Sequence, residues 1–121
     1  MSQVANPSIK SDVQSSHDLN QLIIDSLDQN KAEDIVSINL IGKTSLADFM
    51  IIASGGSGRH VSALADYLSK TLKENGHDDV SIEGLAHADW VLLDCGDIIV
   101  HIFRPEVREF YDLEKMWTAE I

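Results

Sequence analysis

Phe49-Met50-Ile51-Ile52-Ala53 is an unbroken apolar run that stops at the small residues Ser54 to Gly58. A short run of this kind suits a central β-strand covered on both faces. The rest of the chain supplies the covering layers. Leu19, Leu22, Ile23 and Leu27 recur at helical spacing, with Asp18 placed as an N-cap. Ile35 to Ile41 alternates, with Val36, Ile38 and Leu40 on one side and Ser37 and Asn39 on the other, which predicts a strand with one face more exposed. Gly42 to Ser45 is a turn.

Val61, Leu64, Ala65, Leu68 and Leu72 form a second helical stripe, ended by Asn75-Gly76. Three strands follow: Val80 to Ile82, Trp90 to Leu93, and Ile98 to Phe103. The last two are joined by the tight turn Asp94-Cys95-Gly96-Asp97. Pro105 opens a final helix, with Phe110, Leu113 and Trp117 on one core-facing stripe. The fold class is therefore α/β: one domain over residues 18–121, with a mixed five-stranded sheet flanked by helices. Residues 1–17 are polar and aperiodic and read as a disordered tail.

Charge narrows the partners. Nine Lys plus Arg stand against twenty Asp plus Glu, a net charge of -11. Phosphate backbones repel such a chain, so little direct nucleic-acid binding is expected. A basic protein suits it better, because opposite potentials steer association. Cys95 is the single cysteine, which excludes an internal disulfide and a Cys-rich metal site and fits a reducing cytoplasm. No apolar run approaches the ~20 residues of a membrane span. The first arginine is Arg59, and no basic segment leads into an apolar one near Met1, so no targeting segment is expected.

The candidate chemistry is thin. Gly55-Gly56-Ser57-Gly58 lies between a strand and a helix, where free N–H groups can hold phosphate. A nucleotidyltransferase-like enzyme would use the Gly55–Ser57 part of this loop. It would also need two metal-binding carboxylates on the next strand, which offers only Glu83, while Asp66 sits alone on the helix. A sharp strand-to-helix turn accounts for the loop more simply. Asp94 and Asp97 lack the further oxygen ligands of a calcium site and suit turn positions. His17, His60, His77, His87 and His101 include no pair at zinc-helix spacing. A Cys95–His101 nucleophile and base pair is opposed by Asp94 and Asp97, whose charge disfavours a thiolate. No catalysis, cofactor or metal is expected.

Aromatic and charged residues gather instead around Asp89-Trp90, Phe103-Arg104, Glu106, Arg108, Tyr111 and Trp117. Trp, Tyr and Arg are the residue types that dominate protein–protein hot spots. Here the sequence becomes familiar. The run from Ala88 to Phe103, ADWVLLDCGDIIVHIF, resembles the Iojap family, also called ribosomal silencing factors. So do its continuation from Arg104 to Trp117, the stretches Asp48 to Gly55 and Ser57 to Val61, and Ala32-Glu33-Asp34-Ile35. The resemblance spans Asp18 to Trp117. Cys95 departs from it, at a turn position where relatives usually carry a larger residue.

The resemblance implies a domain related in fold to nucleotidyltransferases but without their catalytic carboxylates. It also implies binding to large-subunit ribosomal protein fourteen, near the bridge to the small subunit. A bound factor would then block subunit association and slow translation under nutrient limitation. The expected docking surface comprises Asp89, Trp90, Asp94, Asp97, His101, Phe103, Glu106, Arg108 and Tyr111, with Trp90 or Phe103 as an apolar anchor. Homodimerisation through a sheet edge or an apolar patch is left open by the sequence.

Overall fold

The apolar run forms β2 (Phe49–Ser54), and all six of its residues are buried. In the computed structural model, which describes residues 8–118 and side chains over 15–116, β2 lies second in a five-stranded sheet. The elements run α1 (Ser8–Gln29), β1 (Glu33–Asn39), β2, α2 (Gly58–Glu74), β3 (Ser81–Glu83), β4 (Trp90–Asp94), β5 (Ile98–Phe103), α3 (Pro105–Tyr111) and α4 (Leu113–Thr118). The sheet order is β1-β2-β5-β4-β3. Only the central β2–β5 seam is parallel, with Phe49 level with Ile98 and Ser54 with Phe103. The other three pairs are antiparallel, so the sheet is mixed, as the element order predicts.

Alternation along β2 serves two cores. Phe49, Ile51 and Ala53 face α1 and α2, where Leu19, Ile23, Leu27, Val61, Leu64, Leu68 and Leu72 pack on them. Met50 and Ile52 face a smaller core with Ile38, Leu40, Ala47 and Phe103. Val107 of α3 and Leu113 of α4 rest against that second core. Both expected stripes of α1 and α2 are therefore inward. Among the described residues, no helix is long and apolar enough to cross a membrane.

Two expectations change. The tail expected over residues 1–17 is helical from Ser8 onward, ten residues before Asp18; residues 1–7 lie outside the described residues. Two side chains at the end of this stretch tie it to the sheet. Ser16 is buried and donates to the Asp48 carboxylate, and the His17 ring meets the Phe49 ring edge-on at 5.1 Å. The last helix is also two helices. Pro105 begins α3 as expected, but Asp112 takes φ 48 and ends it. The break removes the continuous stripe, so Phe110 is 79% exposed instead of core, while Leu113 is half-buried. The side chain of Trp117 lies outside the described residues.

The small-residue loop makes a sharp strand-to-helix turn. A Cβ on Gly55 would come within 3.0 Å of the Val61 backbone nitrogen and 3.2 Å of Leu64 Cδ1, so glycine lets α2 lie close to β2. Ser57 then caps α2, its Oγ accepting from the His60 amide at 3.1 Å.

Candidate functional site

The β4–β5 hairpin and α3 bring the predicted aromatic residues together. Trp90 pairs across the strands with Phe103, and Leu92 with His101, so these side chains share one face of the sheet. That face is turned away from α1 and α2. Phe103 lies fully buried beneath Trp90, with ring centres 4.9 Å apart. Tyr111 of α3 closes on Trp90 from outside at 4.8 Å. Phe110 meets Tyr111 edge-on at 5.0 Å. The rings thus form a ladder running from the core to the solvent. Its outer members, Tyr111 at 50% and Phe110 at 79% exposure, are large rings left open to solvent.

Carboxylates rim the ladder. Arg104 Nε donates to Asp89 Oδ1 at 2.8 Å, and its Nη1 donates to Glu106. The Arg104 amide also bonds the Asp89 carbonyl at 3.0 Å, which ties the start of α3 to the start of β4. These exposed pairs contribute little to stability, about 0–1 kcal/mol each. They set the position of the rim. Asp89, Trp90, Glu106, Val107, Phe110 and Tyr111 line a shallow hollow there.

Not all nine expected surface residues belong to it. Asp94 and Asp97 stand at the opposite end of the hairpin, about 13 Å from Trp90 along β4 at about 3.3 Å per residue. Asp94 Oδ1 accepts from the Gly96 amide at 3.0 Å, the turn role its position suggests. Phe103, His101 and Arg108 are 0%, 5% and 9% exposed, so none of them is surface. Phe103 is the second core's largest fully buried side chain. Arg108 can be buried because its charge is matched: Nε donates to Glu114 at 2.7 Å and Nη1 to Ser54 Oγ at 2.8 Å. The same hydrogen bond holds the Glu114 carboxyl below the usual carboxylate range.

Phe110 is the residue that periodicity assigned to the wrong environment. The clue was Asp112, a residue type that tolerates the left-handed conformation in which α3 ends.

Elsewhere the chemistry is occupied or suppressed. The Gly56 amide donates to His60 Nδ1 at 3.1 Å, and His60 Nε2 lies 3.0 Å from the Asn30 carbonyl. The phosphate-like loop therefore turns polar groups toward its own chain. Burial, with help from Asp94, pushes the Cys95 thiol up to about 12, far from thiolate chemistry.

A family model described as "Ribosomal silencing factor during starvation" matches residues 13–120. The chain belongs to the RsfS family. A Zymomonas mobilis ribosomal silencing factor RsfS is 56% identical over 97 residues, 80% of this chain and 73% of that one. A solved structure of a Chromobacterium violaceum protein superimposes with a TM-score of 0.83 at 40% identity, covering 88% of both chains. The mouse protein named "Mitochondrial assembly of ribosomal large subunit protein 1" is 38% identical over 100 residues, 80% of this chain and 44% of that one. The single domain and mixed sheet are those of solved relatives of RsfS type.

Within this RsfS-family fold, His101 is the buried titratable group with a measurable signature. Burial pushes its imidazole down to about 4, from an ordinary value of 6.5. The unfolded chain therefore takes up this proton first as pH falls below about 6.5, so stability present above that pH is lost progressively toward about 4. The expected loss is on the order of 2–3 kcal/mol. Urea unfolding of the native chain and of His101→Leu at pH 7 and pH 4.5 measures it. The variant should lack this component, and equal losses in both would refute the assignment.

Proposed function

We propose that this RsfS-family chain docks on ribosomal protein fourteen of the large ribosomal subunit and blocks joining of the small subunit. It acts in the cytoplasm, slows translation under nutrient limitation and catalyses no reaction. The observation that carries this reading is the aromatic ladder ending in water at Tyr111 and Phe110, rimmed by Asp89 and Glu106. Large rings exposed side by side are what a partner buries as a hot spot. Acidic groups around them, on a chain of net charge -11, favour a basic protein over the surrounding RNA. The names of these relatives, which point to ribosome silencing and large-subunit assembly, support the same partner class.

Co-sedimentation with isolated large and small subunits tests the reading. Binding should be confined to large subunits and should weaken as salt is raised, because rim charges are screened. Phe110→Ala removes a ring that the fold does not bury, so the variant should keep its melting temperature. Its affinity should drop about tenfold, or about 1.4 kcal/mol. Equal affinity for both subunits, or an unchanged affinity in Phe110→Ala, would count against this docking face.

A further inference from the structure

We infer that His101 is a positioning residue for the docking face: it accepts the indole N–H of Trp90 and thereby fixes the ring that supports Tyr111. The inference rests on the docking reading above and adds a residue that never touches the partner.

The geometry is specific. Trp90 Nε1 donates to His101 Nδ1 at 2.9 Å. Indole nitrogen is a donor only, so it needs an acceptor wherever the ring is packed. Trp90 is packed on three sides, by Phe103 at 4.9 Å, by Tyr111 at 4.8 Å and by His101 itself at 5.8 Å. Stacking holds the ring in a plane but barely distinguishes its two flipped orientations. The torsion that flips it has broad, roughly two-fold preferences. The hydrogen bond does distinguish them, because only one flip points Nε1 at His101.

The position of His101 makes its chemistry informative. It sits on β5 between Val100 and Ile102, with Phe103 beyond, and all three are fully buried. An apolar side chain would fill such a site without the cost of burying an imidazole. What imidazole adds is an acceptor on the ring atom next to Cγ. Accepting at Nδ1 places the proton of the neutral ring on Nε2. The ladder from Phe103 through Trp90 to Tyr111 is thus locked by one polar contact at its base, and Phe110 leans on the locked ring pair.

The test uses the full chain, isolated large subunits and the indole ¹H–¹⁵N resonance of Trp90, assigned with Trp90→Phe. His101→Leu keeps bulk and removes the acceptor. His101→Asn restores an oxygen at nearly the position of Nδ1. His101→Leu should weaken large-subunit binding about five- to tenfold and shift the indole resonance upfield, with faster solvent exchange. His101→Asn should bind within about twofold of native and keep the resonance downfield.

Native-like binding by His101→Leu, alongside loss of binding by Trp90→Ala, overturns the positioning role and leaves the docking face standing. Equal weakening by His101→Leu and His101→Asn, with the resonance unmoved, also overturns it, because that pattern belongs to general packing. Native-like binding by Trp90→Ala overturns the docking reading, and this inference falls with it.

Discussion

Gly84→Ala is expected to destabilise the chain by on the order of 3 kcal/mol or more. Gly84 has φ +93, a conformation that side chains rarely adopt. A Cβ there would also overlap the Trp90 carbonyl oxygen, which is backbone and cannot swing aside. Strain and overlap each cost about 1–3 kcal/mol, and here they coincide. The only relief is to push the start of β4 outward, which carries Trp90 with it. Loss of stability and loss of large-subunit binding should therefore appear together. Urea unfolding followed by tryptophan emission measures the first, and co-sedimentation the second. A variant with a native midpoint would show that the two backbones do not approach so closely.

Arg108→Ala should cost about 3 kcal/mol, near the low end for removing one partner of a buried pair. Its low-end position follows from Glu114, whose side chain is 30% exposed and so already partly solvated. Ser54 Oγ has no such escape, since Ser54 is only 2% exposed. Arg108→Lys should recover little, because an ammonium cannot reach two partners in the planar fork that Nε and Nη1 use. With a total stability of about 5–15 kcal/mol, a loss of this size lowers the melting temperature by roughly 10 °C. A drop of only a degree or two would mean that Arg108 contributes no more than a surface ion pair.

These two positions mark how far the sequence could be read. Apolar spacing located β2, the stripes of α1 and α2, and the hairpin strands, because each feature repeats within a few residues. The family resemblance rests on those same stretches. Gly84 was illegible because its role depends on Trp90, a contact that only the strand layout creates. Arg108 looked like surface because it is charged. Its burial depends on Glu114 six residues later and on Ser54 from another strand. His101 sits where local alternation gives no decision between faces. The register that sets it opposite Leu92 makes that choice. Asp94 and Asp97 share a sequence neighbourhood with Trp90, yet an extended strand holds them at the far end of the hairpin. Apolar periodicity within an element was therefore legible, while helix ends such as Asp112 and contacts between elements were not.

The parallel seam between β2 and β5 has a consequence for the order in which the domain assembles. Every antiparallel pair joins strands that follow one another in sequence, such as Asn39 with Phe49 or Asp94 with Ile99. The seam alone pairs residues about fifty positions apart, from Phe49–Ile98 to Ser54–Phe103. It therefore carries most of the chain-closure entropy, and the two halves can form before they meet. Arg108 of α3 is bonded to Ser54, on the first half's side of that seam. The helix bearing Tyr111 and Phe110 can thus be locked only after both halves have joined. A nascent or half-folded chain has the rings but not the assembled surface, so the proposed docking face would exist only in the completely folded molecule.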